Sequence, residues 1–263
     1  MVEQITRRDA GLRAVAALGL PFTPEMSMTE PFSIRYPETA FEDLRRRLRA
    51  TRFPNAVTED WSMGTQLAFE RRLVTAWAEA YPWPQRQARL NRLPHRRATV
   101  DGFGVHFLHF RSSAPGAIPL LLMNGWPSSF VEYGKLAPLL SRGPTAFDVV
   151  IPALPGFGFS DQPSAPYAVE PAELFPKLMT QLGYRRFFAS GADIGAGVAT
   201  RIGLAHPERL WGIHISAVAE KPRTETSPPL SAAERAYYAA DEVWERDEGG
   251  YQAIQGSRPQ TLA

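Results

Sequence analysis

An α/β fold built on an open, mostly parallel sheet is predicted by three observations in the amino-acid sequence. From about residue 98 onward, short apolar runs of strand length alternate with segments of helical periodicity. Pro119-Leu120-Leu121-Leu122-Met123 is apolar without alternation, as a strand covered on both faces must be. The apolar run Arg186-Phe187-Phe188-Ala189-Ser190 leads directly into Gly191-Ala192-Asp193-Ile194-Gly195. That small–x–acid–x–small pattern is the turn of a nucleophile elbow, where a strand passes sharply into a helix and one reactive side chain is exposed.

Bulk properties narrow the classes. A chain of 263 residues fits one large domain or slightly more, and 44% apolar residues suffice for a substantial core. Lysines and arginines (29) barely exceed acidic residues (27), and no basic patch alternates with aromatics, so nucleic acid is not an expected partner. The absence of cysteine excludes disulfides, thiolate metal sites and cysteine catalysis. No segment approaches the ~20 apolar residues of a membrane-spanning helix. Residues 1–30 read as an N-terminal tail in which Thr6-Arg7-Arg8-Asp9-Ala10 precedes the apolar residues 14–20, resembling a shortened twin-arginine signal. Arg13 interrupts that signal and no small–x–small cleavage site follows it, so the expected location is cytoplasmic, with export as the alternative.

Residues 31–95 are expected to be helical. Thr39-Ala40-Phe41-Glu42 has the form of a capping box, and Phe41, Leu44 and Leu48 then recur at helical spacing. Arg45, Arg46, Arg47 and Arg49 fill the opposite side, read as a solvated face. A second helix places Phe69, Leu73, Val74 and Trp77 on one side and is predicted to end before Tyr81-Pro82-Trp83-Pro84. Residues 96–263 are expected to form the sheet domain and the start of a lid. Thr99-Val100 and residues 105–110 read as strands around the turn at Asp101-Gly102, followed by the buried strand at 119–123. A helix over 132–140, a strand over 147–151, the elbow strand, a helix over 196–205 and a strand over 210–216 complete the pattern. In such sheets the active site lies beyond the carboxyl ends of the strands.

Three loops at strand ends build the expected site, and two of them carry the chemistry. Asp193 occupies the elbow where an esterase carries serine, and a carboxylate nucleophile suits attack on carbon with formation of an ester. Asn124-Gly125-Trp126-Pro127 follows the buried strand; its glycine permits close backbone approach. The Trp126 N–H, with that of Ile194 just after the nucleophile, would form a two-donor hole for developing negative charge. Pro152-Ala153-Leu154-Pro155-Gly156-Phe157-Gly158-Phe159-Ser160 reads as scaffold and pocket wall, with Asp161 expected to stabilise the turn and a role as an acid the lesser alternative. Trp126, Phe130, Phe157 and Phe159 suggest an apolar pocket and a lipophilic substrate. The five histidines, His95, His106, His109, His206 and His214, read as structural; His106 and His109, three apart in a strand, face opposite sides.

Taken in order, Asn-Gly-Trp-Pro, Pro-Gly-Phe-Gly-Phe-Ser and Gly-Ala-Asp-Ile-Gly resemble the microsomal-type epoxide hydrolases of the α/β-hydrolase fold. Thr51-Arg52-Phe53-Pro54, Asp60-Trp61 and Leu90-Asn91-Arg92-Leu93-Pro94 resemble that family's N-terminal region, so the likeness runs from about residue 31 to 263. The resemblance implies that Asp193 attacks an epoxide carbon to form an alkyl-enzyme ester. A lid tyrosine would hydrogen-bond the epoxide oxygen, and water would then hydrolyse the ester; neither cofactor nor metal is implied. Gly249-Gly250-Tyr251-Gln252-Ala253-Ile254-Gln255 resembles the segment bearing one such tyrosine, which makes Tyr251 the candidate proton donor. Two departures stand out. Asn124 replaces the family's usual histidine before Gly-Trp-Pro, although the oxyanion donor is a backbone group. The acid and histidine that complete the triad come later in the family's chain order than Tyr251, so the expectation is a C-terminally truncated form, its last strands missing, that forms its ester but releases it slowly. The rival readings are a haloalkane dehalogenase-like hydrolase and a non-catalytic interaction protein.

Overall fold

Strands and helices alternate through the computed structural model, which describes residues 29–165, 168–216 and 228–261. The chain divides into two units, residues 1–218 and 219–263. Residues 1–28, which hold the twin-arginine pattern, lie outside the described residues.

The first unit opens with a short strand β1 (Glu30–Pro31) and three helices, α1 (Glu38–Arg49), α2 (Leu67–Glu79) and α3 (Trp83–Leu90). Helix α1 buries Phe41 and turns its arginines outward, where Arg45 pairs with Glu38 and both Arg46 and Arg47 pair with Asp43. The expected capping box does not form. The helix starts at Glu38 with Pro37 as N-cap, which puts Thr39 inside the first turn, where its hydroxyl no longer faces the free amides. Helix α3 falls where a break was expected, because Pro84 sits in its first turn, a place where the missing N–H costs nothing. The apolar side of α2 is not a core face: Phe69, Leu73 and Trp77 are exposed and only Ala78 is buried.

The sheet contains β2 (His95–Val100), β3 (Phe103–Phe110), β4 (Ile118–Met123), β5 (Phe147–Pro152), β6 (Phe187–Gly191) and β7 (Leu210–Ile215), in the order β1-β2-β3-β5-β4-β6-β7. The strands β5, β4, β6 and β7 are mutually parallel, and β1, β2 and β3 join them by antiparallel pairing. In β4 the side chains alternate between two cores despite the uniformly apolar sequence. Leu121 and Met123 face a layer with α5 (Pro171–Gln181, after a helix α4 at Leu136–Arg142) and α6 (Ile194–Ala205). Leu120 and Leu122 face Phe130 and Ala137 on the other side. Each such side chain contributes about 1.5–3 kcal/mol by leaving water. The helix expected over 132–140 is divided into a 3-10 turn at Phe130–Gly134 and α4.

From β4 the chain passes outward to β5 on one side and returns to β6 on the other, so the winding reverses at β4. This reversal opens a crevice at the carboxyl ends of β4 and β6, where ligands bind in open α/β sheets.

The second unit contains α7 (Ala232–Asp247) and α8 (Gly250–Ser257). Its capping box joins Ser231 to Glu234 reciprocally. Among the described residues no helix is long and apolar enough to cross a membrane.

Candidate active site

Register brings the two chemical loops together. Met123 at the end of β4 pairs with Gly191 at the end of β6, so both loops leave neighbouring strands at the same height. Asp193 then turns with φ 53° and ψ −122°, a backbone region that a residue with a Cβ rarely occupies and that costs about 1–3 kcal/mol. Three glycines make this possible by the absence of a side chain. A Cβ on Gly191 would overlap the backbone of Gly195, one on Gly195 would overlap the carbonyl of Met123, and one on Gly125 would overlap the Asp193 carboxylate. The sequence pattern of small residues is therefore a steric requirement of the turn.

The Trp126 backbone N–H donates to Asp193 Oδ1 at 3.0 Å. Ile194 is the first residue of α6, and amides in a helix's first turn have no partner within the helix and carry its positive end. One carboxylate oxygen thus rests against the first of the two expected donors, the Trp126 amide, while no hydrogen bond to Oδ2 occurs among the described residues. Asn124, only 4% exposed, donates from Nδ2 to the Gly125 carbonyl at 2.9 Å and holds the loop from within. Its Oδ1 is buried without a partner. Tyr133, whose hydroxyl donates to the Met123 carbonyl at 3.1 Å, fastens the strand end beneath the loop. Burial, with Glu132 beside it, pushes that hydroxyl's pKa up to about 12 and keeps it a donor. Sequence reasoning missed Tyr133, because the contact exists only once the 3-10 turn folds back on β4.

The expected pocket residues separate into two places. Trp126 and Phe157 are exposed, at 47% and 44%. Phe130 and Phe159 line an apolar hollow of about 460 Å³ between the N-terminal helices and the segments that follow β4 and β5, whose wall includes neither Asp193 nor Trp126. Asp161 accepts from the Gly104 N–H at 2.6 Å and pairs with Arg97, which also donates to the Phe159 carbonyl. These bonds tie the Pro-Gly-Phe-Gly-Phe-Ser loop to β2 and β3, the turn-stabilising role read from the sequence. Tyr251 belongs to the second unit, where its ring meets Trp244 edge-on at 6.4 Å between centroids and remains 51% exposed. Of the two glycines before it, Gly249 is the one sterically demanded, since a Cβ there would crowd the Glu245 carbonyl.

Each histidine is engaged away from Asp193. His95 Nδ1 meets His106 Nε2 at 2.9 Å, His109 meets the Tyr184 hydroxyl at 2.9 Å, His206 meets Glu173 at 3.0 Å, and His214 meets Ser190 at 3.1 Å. The carbonyl of Leu90 accepts from His95 Nε2, which leaves His95 Nδ1 as acceptor for the His106 Nε2–H. His106 Nδ1 is then a bare acceptor, buried and unpartnered. Burial lowers the His106 pKa to about 3, and burial with the nearby Arg111 lowers that of His109 to about 4. As expected for residues three apart in a strand, the two rings serve opposite faces of β3.

Known proteins share this architecture. Residues 29–133 match the family described as epoxide hydrolase N terminus, and residues 118–246 match that described as alpha/beta hydrolase fold. A Stigmatella aurantiaca protein provisionally named an epoxide hydrolase is 41% identical over 242 residues, covering 88% of this chain and 55% of that protein. The juvenile hormone epoxide hydrolase of Bombyx mori is 33% identical over 198 residues, covering 70% of this chain and 42% of that enzyme. The solved structure of Aspergillus niger epoxide hydrolase superimposes with a TM-score of 0.80 at 26% identity, over 91% of this chain and 66% of that one. The chain spans about half the length of the curated relatives it matches.

Proposed function

The chain belongs to the epoxide hydrolase family of α/β hydrolases, and on that footing we propose that it opens epoxides through Asp193. The observation that carries the reading is the Trp126 N–H on Asp193 Oδ1, at an aspartate held in a left-handed turn. With Oδ1 so occupied, Oδ2 attacks a ring carbon, the C–O bond breaks, and the electron pair passes to the epoxide oxygen. That oxygen needs a proton at neutral pH, a role we assign to Tyr251. The product is an ester whose carbonyl oxygen is the former Oδ1. Attack of water on the ester carbon, with one of its protons passing through solvent to the Tyr251 phenolate, puts negative charge on this same oxygen, against the amides of Trp126 and Ile194. Collapse then releases a vicinal diol and restores the carboxylate.

All five histidines have other partners among the described residues, so these residues support alkylation and oxyanion stabilisation more fully than water activation. The expected outcome with an excess of a lipophilic epoxide such as styrene oxide is a mass increase of one epoxide on the intact chain, located at Asp193 and slow to disappear. Asp193→Ala should carry no adduct, and Tyr251→Phe should slow its formation at least tenfold while sparing reaction with a haloalkane. A folded chain that forms no adduct would sink the proposal. Rapid diol release without an accumulating adduct would keep the nucleophile but require a base elsewhere.

A further inference from the structure

Between the N-terminal helices and the segments that follow β4 and β5 lie two adjoining hollows whose walls include neither Asp193 nor Trp126. The first, about 460 Å³, is walled by aromatic and aliphatic groups, with Phe41, Trp83, Phe130 and Phe159 prominent among them. The second, about 520 Å³, shares Leu90 and Val131 with the first, so the two meet at a common pair of side chains. Its wall carries Arg86, Arg89 and Lys135 against a single carboxylate, Glu132, which is already engaged by the Ser128 hydroxyl. Among the described residues, none of these three cations takes part in a salt bridge. Arg86 instead lies over the Tyr81 ring, 5.5 Å from its centroid.

An apolar recess that opens onto unneutralised cations selects a ligand with the same two parts. A neutral hydrocarbon would leave the cations unused, and a cationic amphiphile would be repelled. Both volumes fall within the roughly 300–1,000 Å³ of small-molecule sites. We propose that the two hollows form one groove for an anionic amphiphile of the fatty-carboxylate class. Its chain lies against Trp83, Phe130 and Phe159, and its carboxylate lies among Arg86, Arg89 and Lys135. The apolar wall is recessed, whereas a bilayer is met by projecting side chains, so the occupant is a monomeric amphiphile and not a membrane surface. This site is separate from the one proposed at Asp193, and the two stand or fall independently.

The test is titration of the full chain with sodium dodecanoate below its micellar concentration, read by calorimetry and by tryptophan fluorescence. Saturable binding of one dodecanoate is expected, and Trp83→Phe should remove the fluorescence change. Decanoate, two methylenes shorter, should bind about fifteenfold more weakly, at about fourfold per methylene. The double variant Arg86→Gln/Arg89→Gln, on exposed helix positions that leave folding intact, should weaken dodecanoate roughly tenfold and leave dodecanol unchanged. Asp193→Ala should leave dodecanoate binding unchanged; tighter binding there would move the ligand to the catalytic crevice and overturn the proposal. It would equally be overturned by equal binding of dodecanoate and dodecanol, by no saturable binding, or by binding only to vesicles of anionic phospholipid.

Discussion

Asp193 combines an unfavourable backbone with an oriented side chain, and the two are linked. In the left-handed turn its carboxylate reaches across to the loop after β4, where the Trp126 amide fixes one oxygen. The strain is held by neighbours that cannot relax, since Gly191 packs on Gly195 and Gly195 packs on Met123. Gly125 is the position that bears most directly on the carboxylate, because a Cβ there would occupy the carboxylate's space. Gly125→Ala should slow alkylation by the epoxide at least about 100-fold, comparable with loss of an oxyanion donor, while circular dichroism stays native. A variant that alkylates at the normal rate would remove Gly125 from the site. The pattern of glycines and the acid between them was legible in the sequence. The assignment of Oδ1 to one amide and the orphaned Oδ1 of Asn124 were not, because both depend on strand register.

At the scale of elements, the N-terminal segment shows how side chains replace regular pairing. Asn91, at the end of α3, accepts from the Ile34 N–H at 2.8 Å and donates to the Ile34 carbonyl at 2.9 Å, imitating a strand partner for an extended stretch that has none. Asn91→Ala should therefore destabilise the chain by about 1–2 kcal/mol, measured as a lower urea midpoint with an unchanged slope, and Asn91→Asp should recover only the accepting half. No change in the midpoint would show that Ile34 is held by its burial alone. The Leu-Asn-Arg-Leu-Pro motif marked this position in the sequence without revealing its partner. Helix periodicity failed in a related way at α2, whose apolar stripe is genuine but only partly covered in this unit. At α5, Pro176 sits within the helix and is buried, so an element the sequence left unassigned forms through packing against β2 and α6.

For the whole molecule, the buried His106 and the half-buried His109 tie stability to pH. His106 and His109 have folded pKa values of about 3 and about 4, below the ordinary 6.5 of the unfolded chain. The unfolded state therefore binds protons first as pH falls, and the stability conferred by neutral rings is full above 6.5. It is lost progressively on the way down to those folded values. Each ring contributes up to about 1.4 kcal/mol per pH unit in that window. Between pH 7.0 and 5.5 the unfolding free energy should fall by about 2–4 kcal/mol, and His109→Gln should halve the slope. That interval lies above the range where Asp43 and Asp60, both with lowered pKa, begin to protonate. A flat profile over it would mean that both rings reach solvent.

The sequence by itself pointed to the family and the sheet class and singled out Asp193, the proposed nucleophile, and the loop that faces it, because each rests on a local rule: strand-length apolar runs, small residues around a tight turn, and motifs in fixed order. The tertiary structure alone decided which oxygen of Asp193 is held by the Trp126 amide, since that follows from the pairing of Met123 with Gly191. It also joined His95 to His106 and placed Phe130 and Phe159 in a hollow beside unpaired cations. These are contacts between residues far apart along the chain, and no local pattern encodes them.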